Sequence, residues 1–319
     1  MLIRIMISFI LNSIMSKLFK VARPQFLIVG LTLFVFGALW AVLLGAFFSP
    51  LRLLFGYLVI LPAQLSVHFG NDYFDIASDR PGGGTMISGG GGVLLEHPEL
   101  REPARWIAVI LIFLSMGMGI VFIRTYSYPF WMIGFVILGN LAGWFYSAPP
   151  IRLSQRGFGE LCYTFISGFL IPSMGYLVIR GVLDLEGIFF SIPLMLYGLV
   201  SILSVEIPDM EDDRLSNKRT WVVQKGRNFG FTSAGWLLLA ATTYFFIFPI
   251  FYERQIPINF RVLGLLSLLP LGAGIFGMVK RPVDRVPATR IAIWTVIMLA
   301  AFSVFVDIYL LYLAINWRM

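Results

Sequence analysis

Nine apolar runs, each long enough to cross a bilayer, constrain this chain more than any other feature. A membrane-spanning helix needs about 20 mostly apolar residues. The runs lie at roughly 26–48, 51–71, 106–124, 128–146, 160–180, 187–208, 230–251, 261–279 and 291–315. Charged residues are 13% of the 319, about half the ~25% carried by a soluble domain. The chain therefore reads as a polytopic membrane protein, with no soluble insert long enough to fold alone. Its runs have helical length, unlike the ~10-residue alternating strands of a membrane barrel. Pro62, Pro172, Pro193, Pro249 and Pro270 fall inside runs, where neighbouring helices can re-satisfy a kinked backbone. The expected fold is all-α: one transmembrane domain over 1–319, a bundle of nine helices. Residues 1–19 carry Arg4 and Lys17 around a short apolar patch without a small-residue cleavage site. They read as an interfacial helix rather than a signal peptide.

Positive charge sets the expected orientation. Nine spans put the N-terminus and the loops after spans 2, 4, 6 and 8 on one side. That side holds eighteen of the 24 Lys and Arg residues, the other side six. By the positive-inside bias the first side is cytoplasmic and the C-terminus is external. This distribution accounts for the net charge of +7. No basic stripe with interleaved aromatics points to nucleic acid. Cys162 is the single cysteine, so no intrachain disulfide can form and no Cys/His metal site is indicated.

Polar groups then stand out where the apolar runs end. Gln64, His68, Asn71, Asp75 and Asp79 fall on nearly one helix face, because residues i and i+4 stack. Asp72 adds a third carboxylate at this boundary, which is costly without a counter-ion. A second stripe, Glu206, Asp209 and Asp213, closes the sixth run. Both stripes follow one grammar: apolar span, carboxylates at i and i+4, then basic residues (Arg80; Arg214, Lys218, Arg219). A lone surface Asp is an ordinary loop charge; two matching clusters on one side make an oxygen-rich site. Mg2+ takes one or two carboxylates plus phosphate oxygens and water. Two stripes thus suit Mg2+ ions bridging a diphosphate, with Arg80, Arg152, Arg156 and Lys218 completing the cradle. Gln64, His68 and Glu206 are candidates for contacting an acceptor or taking its proton, and Gln64 and Asn140 for interhelical hydrogen bonds. Tyr146 can guard a carbocation by cation–π attraction. Asp307, late in the ninth run, is expected near the outer interface. The glycine-rich stretch 82–92 reads as a flexible connector or an anion-binding loop.

These motifs resemble those of the UbiA-type intramembrane prenyltransferases. Asn71-Asp72-Tyr73-Phe74-Asp75-Ile76-Ala77-Ser78-Asp79 is similar to their first motif, NDxxDxxxD. Asp209-Met210-Glu211-Asp212-Asp213 with Asn217-Lys218-Arg219-Thr220 is similar to the second, DxxxD then GKxT. Tyr146 to Glu160 resembles the YxAPPxxL…RGxGE loop. The resemblance covers roughly 20–315 and implies Mg2+-dependent transfer of an isoprenyl group from a polyprenyl diphosphate. It implies that Asn71, Asp72, Asp75, Asp79, Asp209 and Asp213 hold Mg2+–diphosphate. Asp75, Asp209 and Tyr146 would be the residues nearest the chemistry, and the prenyl chain would leave sideways into lipid. The glycine-rich segment after Arg80-Pro81 is more similar to 1,4-dihydroxy-2-naphthoate prenyltransferases than to families with an RP-x-x-x-G element. An aromatic acceptor is therefore expected. Glu206, where Asn or Arg is frequent, and Asn217, where Gly is frequent, depart from the pattern. Transfer to a glycerol-phosphate lipid is the alternative acceptor, and an ion-coupled transporter the alternative class. A transporter places its carboxylates near the midplane at broken helices, whereas these lie at span ends.

Overall fold

The computed structural model describes residues 14–76, 92–251 and 256–316. Among them the regular structure is helical. A helix over 14–22 (α1) leads into α2 (Pro24–Leu43), α3 (Pro50–Phe74), the short α4 (Val93–Glu96), α5 (Arg101–Tyr126) and α6 (Met132–Ser147). Then come α7 (Gly159–Phe165), a π-turn at Ile166–Leu170, α8 (Ile171–Arg180), α9 (Leu185–Leu215), α10 (Trp221–Lys225) and α11 (Arg227–Phe251). The chain ends in α12 (Phe260–Leu266), α13 (Leu268–Lys280) and α14 (Arg285–Asn316). Eight helical segments are long and apolar enough to span a membrane, and α6 is a shorter apolar ninth. The protein is an integral membrane protein, and the nine runs read from sequence each coincide with a helical segment.

Boundaries moved for local reasons. The helix expected to carry Asn71 through Asp79 ends at Phe74, and Asp75 is its C-cap, its N–H bonded to Asn71 O at 2.8 Å. Asp79, Arg80 and the glycine-rich stretch through Gly91 lie outside the described residues. Between α4 and α5 the helix breaks at His97, because Pro98 disfavours helical backbone before it; α5 starts at Arg101. The sixth span runs on to Leu215, so the whole second acidic motif is helical.

Helices adjacent in sequence are neighbours in space, and α14 closes the circuit against α2. Within this ring α8 is buried from Pro172 to Ile179. It packs on α2 through glycines: Gly37 lies against Pro172 O and Gly175 against Phe34 O, with no room for a Cβ at either. Such small-residue contacts give membrane helices their dispersion energy, since lipid competes equally for apolar surface. Trp40 stacks on Phe190 in the same core. Contacts at the two ends confirm an alternating path. At one end Arg180 donates to Leu44 O (3.0 Å) and Tyr128 to Val178 O (2.7 Å). At the other, the ends of α3, α6, α7 and α9 converge. Asp307 lies two residues before Tyr309, which bonds Asn259 in the loop before α12, and one of its carboxylate oxygens is buried without a partner among the described residues.

Candidate active site

The two acidic motifs meet through one lysine. Lys218 Nζ lies 3.4 Å from Asp75 Oδ2 and 3.5 Å from Asp213 Oδ1. Both carboxylates belong to C-terminal helix ends, Asp75 capping α3 and Asp213 in the last turn of α9. A helix C-terminus carries partial negative charge, so the dipoles add to the acids and the site calls for cations. Ser147, the last residue of α6, donates to Asp75 Oδ2 at 3.3 Å. Asn71 precedes Asp75 by one turn, and Asp209 precedes Asp213 by one turn, on the same faces. Tyr146 precedes Ser147, the residue that bonds Asp75, so it sits at the same end of α6 as the site.

The acids that do not belong to this face have other partners. Glu211 pairs with Arg227, which also donates to Ile207 O and Val283 O, each at 2.9 Å. Asp212 pairs with Arg285 at 2.7 Å. These bonds tie α9 to α11 and α14 and set its rotation, so that Asp213 faces Lys218.

Some sequence expectations need correction. Asp72 is buried and its carboxylate is held by Arg23, at the junction of α1 and α2. Three residues turn a helix by roughly 300°, so Asp72 sits on the shoulder of α3 rather than on the Asp75 face. In this structure its carboxylate is committed to that ion pair. His68, one turn earlier, is drawn to the same flank, its ring 5.9 Å from that of Phe26. Arg156 is exposed and donates to Pro150 O in its own loop at 2.9 Å, away from the acids. Arg152 keeps a buried Nε without a partner among the described residues.

Two loops lock the site from above. Arg219 N–H donates to Gln155 O (3.2 Å), Trp221 Nε1 to Gly157 O (3.0 Å), and Trp221 N–H to the Glu160 carboxylate. Gly157 has φ +80°, and a Cβ there would stand 3.0 Å from Arg219 O. Gly157→Ala is expected to cost about 1–3 kcal/mol in strain and to loosen Lys218 with its loop. A lowered thermal midpoint in detergent checks this. Asn217, which stands where the related motif has Gly, has φ +57°. Asn visits that region more readily than most residues, which explains the replacement. Sequence reasoning passed over Arg23, Arg227 and Arg285 as loop charges. Their signal was position: each lies just before an apolar run or opens the helix that carries it.

The donor set fits a hard divalent cation. It consists of carboxylate and amide oxygens, as Mg2+ requires. Among the described residues no three acidic, His or Cys side chains form a complete metal cage.

The sequence pattern of the UbiA prenyltransferase family matches residues 31–296. The chain belongs to that family. Among curated proteins it is 25% identical over 181 residues to a 1,4-dihydroxy-2-naphthoate octaprenyltransferase of Bacillus subtilis (strain 168). That match covers 56% of this chain and 55% of the relative, so it spans about half of that relative's length. A solved UbiA homolog from Archaeoglobus fulgidus, bound to GPP and Mg2+, superposes with a TM-score of 0.62 at 15% identity. That superposition covers 91% of this chain and 99% of the homolog. A structure described for digeranylgeranylglyceryl phosphate synthase gives 0.62 at 16% identity, covering 92% and 98%. At these identities the likeness is one of fold, and it establishes the UbiA architecture for this chain.

Proposed function

We propose that this UbiA-family chain transfers a polyprenyl group from a polyprenyl diphosphate to an aromatic acceptor of the 1,4-dihydroxy-2-naphthoate type. The observation that carries the reading is the single Lys218 ammonium shared by Asp75 and Asp213, which unites the two acidic motifs in one place. Asn71, Asp75, Asp209 and Asp213 would hold Mg2+, with Asp79 of the same motif. When bound, Mg2+ would offset the charge that the diphosphate gains as its C–O bond breaks. Lys218 and the Arg152 guanidinium donate to diphosphate oxygens, with Arg80 from the following segment. Tyr146 presents its ring to the developing allylic cation. The acceptor's aromatic carbon attacks the prenyl C1, and the C–O electron pair leaves with the diphosphate. The ring proton then passes to water.

The aromatic acceptor is favoured by the B. subtilis relative and by the chemistry. A glycerol hydroxyl needs a positioned base during attack and a further phosphate cradle, whereas an aromatic carbon releases its proton afterwards. A transporter reading is disfavoured because the acids lie at helix ends beside basic loops, not at midplane breaks. Direct competition of 1,4-dihydroxy-2-naphthoate with geranylgeranylglyceryl phosphate for labelled prenyl diphosphate tests the choice. Label is expected in the naphthoate; label in the glyceryl lipid alone reverses the assignment.

The site faces the cytoplasm in this reading, supported by the Lys/Arg asymmetry. A cysteine introduced at Asn217 is expected to react with a membrane-impermeant thiol reagent in inverted vesicles and to be protected in intact cells. The native Cys162 is buried and adds little background. Labelling from outside the cell reverses the orientation.

A further inference from the structure

Two carboxyl groups are buried where α7, α9 and α10 meet. Glu160 is 1% exposed and Glu206 6%. One oxygen of each, Glu160 Oε2 and Glu206 Oε2, has no hydrogen-bond partner among the described residues.

Helix packing brings the two together. Along the contact of α9 with α7 and its π-turn, Gly168 lies against Met195 and Thr164 against Gly198. The Tyr163 hydroxyl is 3.4 Å from Ser201 Oγ. Glu160 continues this face of α7 by one turn toward the site. Glu206 follows Met195 by eleven residues, roughly 1,100° of helix, and so falls within about 20° of the same face. The two carboxyls are within hydrogen-bond reach of each other.

The same pair holds the start of α10. Trp221 N–H donates to Glu160 Oε1, the Val222 N–H meets the Glu206 carboxyl, and Val223 N–H donates to Thr220 Oγ1 at 3.3 Å. The first N–H groups of a helix have no partner within it; here three side chains supply the oxygens. Lys218, whose Nζ reaches both Asp75 and Asp213, stands three residues before Trp221. Two ionised carboxylates in contact and out of water repel, and such pairs keep a proton. One proton between Glu160 Oε2 and Glu206 Oε2 gives both oxygens a partner and leaves a single negative charge, which the α10 N–H groups face.

We propose that Glu160 and Glu206 share one proton as an acid–carboxylate lock, which fixes the start of α10 against α7 and α9 and so sets the position of Lys218. Both are positioning residues that act through Lys218. The shared proton stands on the packing; its effect on substrate rests on the proposed function, in which Lys218 binds diphosphate.

Infrared difference spectra of the full chain in lipid nanodiscs test the proton. Relative to Glu160→Gln/Glu206→Gln, the wild type is expected to show one additional protonated carboxyl band, shifted in D2O, and one additional carboxylate. Two additional carboxylates and no protonated carboxyl overturn the proposal. Kinetics test the lock. Glu160→Leu, which removes the acceptor of Trp221 N–H, is expected to raise KM for prenyl diphosphate about tenfold, as loss of a charge-assisted hydrogen bond does, while KM for 1,4-dihydroxy-2-naphthoate holds. Glu160→Gln keeps an oxygen for Trp221 and offers an N–H to Glu206, and is expected to restore the prenyl diphosphate KM. No rise in the Leu variant, or an equal rise in the Gln variant, overturns the lock. If Glu160→Leu fails to fold, the infrared spectra and the KM of Glu160→Gln decide. A wild-type chain that carries the infrared signature but transfers no prenyl group sinks the proposed function and leaves the shared proton in place.

Discussion

Asp75→Ala and Asp209→Ala each lower prenyl transfer by on the order of 10²–10³-fold or more while the protein stays folded, as expected for loss of a transition-state charge stabiliser. The motive is the way the motifs share the site. Asp75 comes from the end of α3, Asp209 from the end of α9, and Lys218 bonds the Asp75 carboxylate and that of Asp213, one turn after Asp209. In the proposed reading each stripe supplies a different part of one cation site, so neither replaces the other. Initial rates at saturating Mg2+ and prenyl diphosphate, with size-exclusion profiles for folding, read the effect. Near-normal turnover in either variant would mean that the two stripes do not act together.

Arg23→Met is expected to destabilise the protein by about 3–5 kcal/mol, because it leaves Asp72 buried with an uncompensated charge. The pair is sequestered, with side-chain exposures of 10% and 3%. Arg23 also has φ +50°, so the chain turns between α1 and α2 at the point where its guanidinium reaches α3. Asp72 is next to Asn71 and three residues before Asp75, so the end of α3 should loosen and activity should fall with stability. Thermal unfolding in detergent reads the loss. The double variant Arg23→Met/Asp72→Leu should recover much of it, since removing both partners of a buried pair costs far less than removing one. An unchanged midpoint in Arg23→Met would show that the pair has no structural role.

Much of the architecture was legible because lipid leaves few options. Every backbone polar group must be paired within its own span, so runs of suitable length declare helices, and the helical segments coincide with those runs. The acidic motifs were legible for a related reason: carboxylates at i and i+4 at a span end are costly and regular. Spacing alone could not assign individual side chains. Asp72 and Asp75 are three residues apart, but one faces Arg23 and the other Lys218. Which shoulder of the helix meets which neighbour is decided by packing against α2 and α9, and a single span does not encode that. The same holds for Glu211 and Asp212. They resemble further ligands in the motif, yet they brace α9 against Arg227 and Arg285. A cavity lined by Gln64 and Asn140 joins residues 76 positions apart on two helices, which no single run encodes.

Mg2+-dependent prenyl transfer by the purified chain tests the central claim most directly. The protein in lipid nanodiscs is incubated with geranylgeranyl diphosphate and 1,4-dihydroxy-2-naphthoate, and prenylated product and released diphosphate are quantified by mass spectrometry. Equimolar product and diphosphate are expected with Mg2+, and neither after chelation with EDTA. Product formation unaffected by EDTA, or no prenylated product with Mg2+ present, would contradict the account.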